Sequence, residues 1–374
     1  MTALGALGAA DAGALDFDLP AHLDADAPPE ARGGARHDVR LLVARRADGQ
    51  VVHHRLTDLP ALLAPGDLLV VNTSAMVPAA LPATRPDGTV LRAHVSGPLQ
   101  GQRRWLVELR RPAGPGSEAF GDARAGERLA LPGGGRLHLH APHAPGAGPG
   151  SAGASSRLWV ATLTLPLPLI AYLRRHGHPI RYRTSGRQWP VDAYQTVFAG
   201  VPGSAESPCA GRAFSTRLVT DLVAAGIGVA PLLLHTGVSS PEEGEAPYPE
   251  RYRVPAATAE RVNDARARGH RVVAVGTTVA RALETVTHAD GVTSDGAGWT
   301  DLEITHERGV RALDGLLTGW HEPRSSHLRL LAAVAGRPLL AASYAAALDG
   351  GYRWHEFGDL HLILRTAPGG ARLR

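Results

Sequence analysis

Four apolar residues, Val272 to Val275, run directly into Gly276-Thr277-Thr278 and then into Val279-Ala280-Arg281-Ala282-Leu283-Glu284. The run suits a strand covered on both faces, and the segment after it has helical spacing. Gly276 permits a close backbone approach, and Thr277 or Thr278 can cap the helix. A turn of this kind presents unpaired backbone N–H groups at the positive end of a helix dipole. It suits a carboxylate, a phosphate or the edge of a purine.

The same alternation continues on both sides and predicts an α/β fold with a mostly parallel sheet in its main domain. Leu41 to Arg45 and Val51 to Leu56 flank Asp48-Gly49 and read as a hairpin. Leu59 to Leu63 reads as a short helix, Pro65-Gly66-Asp67 as a turn and Leu68 to Asn72 as a strand. Further on, Val229 to His235, Thr300 to Ile304, Asp314 to Thr318 and Leu360 to Leu364 read as strands. Leu169 to His176, Thr216 to Ala225, Ala256 to Gly269, Ser326 to Ala335 and Leu339 to Leu348 read as helices.

Residues 79–165 differ. Short runs such as Val90 to Val95, Trp105 to Leu109, Arg128 to Leu131, Arg136 to His140 and Leu158 to Leu165 alternate apolar with polar between Gly/Pro breaks. They predict a small antiparallel β-barrel domain inserted into the main domain. The expected division is a discontinuous α/β domain over 15–78 and 166–374, the barrel over 79–165, and a disordered tail over 1–14. Pro142 to Ala154 is expected to be a flexible loop.

A chain of 374 residues accommodates two domains. There is no lysine, and all 39 basic residues are Arg. A net charge of +4 permits a nucleic-acid partner without requiring one. Cys209 is the only cysteine, which excludes an internal disulfide and a Cys-based metal site. No basic n-region and no apolar run of membrane length occur, so a cytoplasmic location without membrane contact is expected. The sequence leaves the oligomeric state open.

Several clusters carry possible chemistry. In His321-Glu322-Pro323-Arg324-Ser325-Ser326 a serine can cap the next helix and Arg324 can reach an anion at its end, although a plainly capped helix with an exposed Arg fits as well. Tyr194-Gln195-Thr196 offers a stacking face and an amide able to read a base edge; a packed strand residue is the equal alternative. His235 closes an apolar strand, where α/β proteins place their sites; a satisfied structural histidine fits equally well. Glu250 lies near Glu242, Glu243 and Glu245 in what reads as an acidic loop, where an exposed carboxylate is the plain alternative. Asp359 stands before the last strand, near Tyr352-Arg353-Trp354, where it could face a cation or simply form a turn. His138, His140 and His143 are close together but lack the rest of a ligand set, so no metal is expected.

Taken in order, Phe17 to Pro20, Arg40 to Val43, Pro65 to Leu69, Asn72, Tyr194-Gln195-Thr196, Ala210-Gly211, Val275 to Glu284, His321, Pro323-Arg324-Ser325, Tyr352-Arg353 and Gly358-Asp359 resemble the S-adenosylmethionine:tRNA ribosyltransferase-isomerases of queuosine biosynthesis. The resemblance runs over nearly the whole chain. It implies an α/β main domain with an inserted barrel, S-adenosylmethionine as a consumed ribosyl donor, and tRNA as partner. The implied reaction moves the ribosyl group to the aminomethyl group of a 7-deazaguanine base and gives epoxyqueuosine. It needs a base beside the sulfonium and a proton donor for departing adenine. On this reading Gly276, Thr277, Thr278, Arg324 and Ser325 bind the donor. Tyr194, Gln195, Tyr352 and Arg353 contact the base, and His235, Glu250, His321 and Asp359 are the proton-transfer candidates. Departures occur: Ala75 and Ala80 replace a family Arg each, and Ala213 and Tyr248 replace a family His each. They keep two alternatives in view, a relative with the same donor and a small-molecule acceptor, and a non-catalytic RNA-binding relative.

Overall fold

The structure is a computed structural model that describes residues 15–101, 103–143, 157–183, 186–238 and 248–365. The tail expected at 1–14, most of the loop expected at Pro142 to Ala154, and Glu242, Glu243 and Glu245 lie outside the described residues.

The chain opens with β1 (Arg40–Arg45), β2 (Val51–Arg55), α1 (Leu59–Leu62), β3 (Leu68–Asn72) and β4 (Ser74–Met76). Seven strands follow: β5 (Ala80–Thr84), β6 (Val90–Pro98), β7 (Trp105–Ala113), β8 (Gly116–Ala119), β9 (Arg128–Ala130), β10 (Arg136–Pro142) and β11 (Leu158–Thr164). Then come α2 (Leu169–His176), β12 (Val201–Ser204), α3 (Cys209–Arg212), α4 (Thr216–Ala224), β13 (Gly228–Leu234), β14 (Glu250–Val254) and α5 (Ala256–Ala267). The last elements are β15 (Val272–Val275), α6 (Thr277–Thr285), β16 (Gly296–Thr300), β17 (Gly315–Gly319), α7 (Ser326–Ala335), α8 (Arg337–Asp349) and β18 (Leu360–Leu364).

Nine strands form one sheet in the order β16-β14-β13-β3-β15-β17-β18-β1-β2. Its centre, β13-β3-β15-β17, is parallel, as is the β18–β1 pair. The flanks and the β17–β18 pair are antiparallel, so the sheet as a whole is mixed. Alternate side chains feed two cores. Val70, Val272 and Ala274 pack with α5 to α8 through Val262, Leu283, Leu328 and Tyr344. Leu69, Val71, Val273 and Val275 pack with Phe214, Leu218 and Leu222 on the other face. Each Val or Leu so buried contributes about 1.5–3 kcal/mol before the entropy cost of ordering it. Between the α7 and α8 axes the chain bends by 115° at Gly336. No single helix among the described residues is long and apolar enough to cross a membrane.

Six strands close a second, wholly antiparallel barrel: β5-β6-β7-β11-β10-β9 and back to β5, with β8 paired to β7 outside the ring. Leu81, Leu91, Val107, Leu137 and Leu158 point inward. Tyr172 and Leu173 of α2 join the same core.

Candidate active site

Parallel strands place their carboxyl ends on one edge, where α/β proteins bind ligands. Here β13, β3, β15 and β17 deliver His235, Asn72, Gly276 and Trp320-His321 to that edge. Antiparallel β18 begins there, so Asp359 arrives from the other direction, and the parallel neighbour β1 brings Arg40. The sheet thereby collects residues separated by up to 319 positions in sequence.

Asn72 holds two strand ends and a helix start together. Its Oδ1 accepts from Leu234 N (3.1 Å) and Ser74 N (3.0 Å), while Nδ2 donates to Leu234 O (2.8 Å) and to Thr278 Oγ1 (3.3 Å). Gly276 turns the chain with φ 100° and ψ 152°, a conformation that excludes other residues without strain. Its N–H stays with the sheet, donating to Leu317 O at 2.8 Å. No side chain caps α6, although a threonine cap was expected. Its first-turn amides therefore have neither an intrahelical acceptor nor a capping oxygen, and Thr277 and Thr278 are only half-buried. At α7 Ser325 occupies the cap position, but its Oγ is buried without a hydrogen bond among the described residues. Arg324 is exposed, with φ 58°; its N–H donates to Leu15 O, and its guanidinium lies 3.8 Å from Asp16.

His235 is half-buried just past β13. Its Nδ1 lies 2.8 Å from Ser74 Oγ, which lies 2.6 Å from Ser204 Oγ. Burial, with a smaller push from Arg251, lowers the imidazole to about 4, so it is neutral at pH 7. Glu250 does not sit in an acidic loop: it begins β14 opposite Thr300. Its Oε1 accepts from Gly237 N at 2.9 Å and its Oε2 is ion-paired to Arg281, whose Nη2 also reaches Thr300 O. With both oxygens engaged, Glu250 fixes the loop after His235 rather than standing free as a base.

His321 Nε2 and Thr318 Oγ1 share a hydrogen bond of 2.9 Å, and its ring stacks on His327 (centroids 4.5 Å, 7° between planes). Removal from water, reinforced by His327, His355 and His361, holds its pKa well below the ordinary histidine value. Behind it Trp320 stacks on His361 and meets Tyr344 edge-on. Gly319, His355, Phe357, Arg212 and Ala213 line a cleft between this strand end and α3.

Four other expected contact residues are otherwise occupied or placed. Gln195 spends its amide on the backbone of Met76, accepting from N (3.0 Å) and donating to O (2.8 Å). Tyr194 is buried against Phe357, with ring centroids 5.0 Å apart. Tyr352 is buried under the Arg40 guanidinium (4.3 Å), and its hydroxyl meets His53 Nδ1 at 3.0 Å. Arg353 is exposed. Asp359 is likewise spent: Oδ1 accepts from Arg40 N (2.7 Å), and Oδ2 from Arg40 Nη2 (2.7 Å) and Arg353 N (2.8 Å). It locks β1 to the approach of β18. Among the described residues no group of three His, Cys, Asp or Glu could hold a metal ion.

Fold and edge together define a class: an α/β protein with a closed barrel in its chain and an amide-rich, histidine-bearing carboxyl edge. Comparison with known proteins supplies the family. Residues 13–363 match the model described as queuosine biosynthesis protein. The S-adenosylmethionine:tRNA ribosyltransferase-isomerase of Moorella thermoacetica is 38% identical over 94% of this chain and 98% of its own length. The protein of that name from Thermus thermophilus is 36% identical over 94% and 99%. A crystal structure of S-adenosylmethionine tRNA ribosyltransferase from Thermotoga maritima superposes with a TM-score of 0.50 at 26% identity, covering 93% of this chain and 99% of that one. The chain belongs to the queuosine biosynthesis protein family.

Proposed function

We propose that this protein transfers the ribosyl part of S-adenosylmethionine to the aminomethyl group of a 7-deazaguanine base in tRNA and isomerises it to epoxyqueuosine, in the cytoplasm. The observation that carries the reading is kinship over nearly the entire length with relatives bearing that activity in their names. The edge is chemically suited to the donor. Uncapped α6 amides after Gly276 offer donors to the methionine carboxylate or a purine nitrogen, with Thr277 and Thr278 beside them. Ser325 brings an unspent hydroxyl. Neutral His235 and His321 follow β13 and β17 on the same sheet edge, with β3 and β15 between them, and are the groups left for handling protons or donating hydrogen bonds. Glu250 and Asp359 act as braces, and Tyr194, Gln195 and Tyr352 shape the walls. Arg324 and exposed Arg353 supply positive charge toward carboxylate or RNA phosphate.

Incubation with S-adenosylmethionine and precursor-bearing tRNA should release adenine and add the ribosyl-derived mass to the target nucleoside. Calorimetry with the donor should show binding that weakens in Thr277→Val. Failure of the parent protein to bind the donor would sink the reading. Ala75, Ala80, Ala213 and Tyr248 at positions where the family carries Arg or His favour one second reading, an altered acceptor. It predicts adenine release with a small nucleoside and none with tRNA.

A further inference from the structure

We infer that two buried serines, Ser204 and Ser74, fix His235 as the tautomer carrying its hydrogen on Nε2, so that it presents a neutral hydrogen-bond donor and not a base to the ligand. Ser74 and Ser204 are both 0% exposed, so no bulk water takes part. Ser204 Oγ has two neighbours: Thr236 N at 3.0 Å and Ser74 Oγ at 2.6 Å. A backbone N–H can only donate. Ser204 accepts from Thr236, and Ser74 Oγ is the one neighbour left for its own hydrogen; accepting there a second time would leave that hydrogen buried and unpaired. Ser74, having accepted, has one remaining neighbour for its hydrogen, His235 Nδ1 at 2.8 Å. That nitrogen must offer its lone pair.

Neutrality follows from burial, which keeps the imidazole uncharged at pH 7. The single ring hydrogen is then on Nε2, since Nδ1 carries the one side-chain hydrogen bond of His235 among the described residues.

The fold is organised around this contact. β4 and β12 form a separate two-stranded parallel sheet, and their pairing brings the two hydroxyls together. Gly203 clears space for the ring: a Cβ there would lie 2.5 Å from His235 Cε1. Since Thr236 directly follows His235, the relay closes a loop from the peptide N–H back to the imidazole. A neutral N–H donor stabilises charge that develops on an acceptor atom without itself taking a proton. In the reaction proposed above, and resting on that reading, the acceptor is a nitrogen of the departing purine or an oxygen of the sugar. The base lies elsewhere. Ser74 and Ser204 act through His235 and are positioning residues.

The test uses the intact protein labelled with ¹⁵N-histidine. Long-range ¹H–¹⁵N spectra at pH 7, assigned by loss of signals in His235→Gln, should show one protonated ring nitrogen, Nε2, and one bare nitrogen, Nδ1. Ser74→Ala should turn this into a tautomer mixture and lower kcat roughly 10- to 100-fold, with KM for the donor little changed. Ser74→Thr should restore both readouts. Ser204→Ala is the second variant, leaving Ser74 in place but free to reverse its hydrogen, and should also give a mixture. A protonated Nδ1 in the parent protein overturns the tautomer assignment whether or not the enzyme turns over. The expected tautomer together with an unchanged kcat in Ser74→Ala overturns the catalytic half alone. If the parent protein releases no adenine, the proposed function fails while the spectra still decide the tautomer.

Discussion

His361 predicts how this protein meets acid. It lies on β18, 0% exposed, stacked on Trp320 with centroids 4.7 Å apart and 8° between planes. Among the described residues neither ring nitrogen has a hydrogen-bond partner. Burial lowers its pKa from 6.5 to about 3. A base whose folded pKa is depressed binds a proton in the unfolded chain before it does in the folded one, so stability falls as pH drops from 6.5 toward 3. At pH 7.5 this cost is below about 0.1 kcal/mol, and at pH 5 it reaches about 2 kcal/mol. His361→Phe keeps a planar ring against Trp320 and removes both the titration and two unsatisfied nitrogens. Urea midpoints of parent and variant at pH 7.5 and pH 5.0 give the comparison. The variant should lose less stability on acidification, by about 2 kcal/mol. Identical pH dependence in the two proteins would show that His361 meets the same environment folded and unfolded, and the reasoning from its burial would be refuted.

Three other outcomes follow from the site. Asp359→Asn should cost about 1.5–3 kcal/mol in urea unfolding, because Arg40 loses its carboxylate, while the folded enzyme keeps its turnover number; a kcat collapse at unchanged stability would restore Asp359 as a reacting group. Gly276→Ala should cost roughly 1–3 kcal/mol from the positive φ alone and weaken donor binding measured by calorimetry. Gly203→Ala should cost about 1–3 kcal/mol in urea unfolding, because displacing His235 leaves the buried Ser74 hydroxyl unpaired, and should lower kcat on the order of 10²-fold; an active Gly203→Ala enzyme would argue that the imidazole position is immaterial.

Elements whose apolar pattern matches their burial were legible in the sequence. β3, with all five residues buried, and β18 fall where the runs Leu68 to Asn72 and Leu360 to Leu364 put them. α7 spans the expected Ser326 to Ala335. Elements made by their partners were not. β16 reads Gly-Ala-Gly-Trp-Thr and is held by β14, so the strand expected at Thr300 to Ile304 ends where it should begin. Past Thr300, the Leu302 amide goes to Thr300 Oγ1 and its carbonyl to Arg281. β4 and β12 are three and four residues long and carry no alternation, yet they set the Ser74–Ser204 contact across 130 positions. Residue type was a fair guide to location and a poor guide to role: Gln195, Glu250 and Asp359 have the right functional groups, but backbone amides and arginines claim them.

That last point separates a site from a polar edge. A buried donor or acceptor left unpaired costs free energy, so a fold keeps one only where something else will meet it or where packing leaves no choice. At this edge the carboxylates of Glu250 and Asp359 are satisfied within the protein. Among the described residues the groups still unspent here include the first-turn amides of α6, the Ser325 and Thr236 hydroxyls, Trp320 Nε1 and the Nε2 side of His235. The amides, Trp320 Nε1 and, given the His235 tautomer inferred above, His235 Nε2 are pure hydrogen donors. A ligand that completes the edge must therefore be rich in acceptors, as a carboxylate and a purine are, and a molecule without acceptor atoms would leave the same amides bare. Inorganic or organic cations without an acceptor should accordingly fail to protect the protein against thermal unfolding, whereas adenine nucleosides carrying a carboxylate tail should raise its melting temperature, and go on raising it with the logarithm of their concentration above Kd. Protection by the cations alone would mean that the edge is read by charges other than these donors.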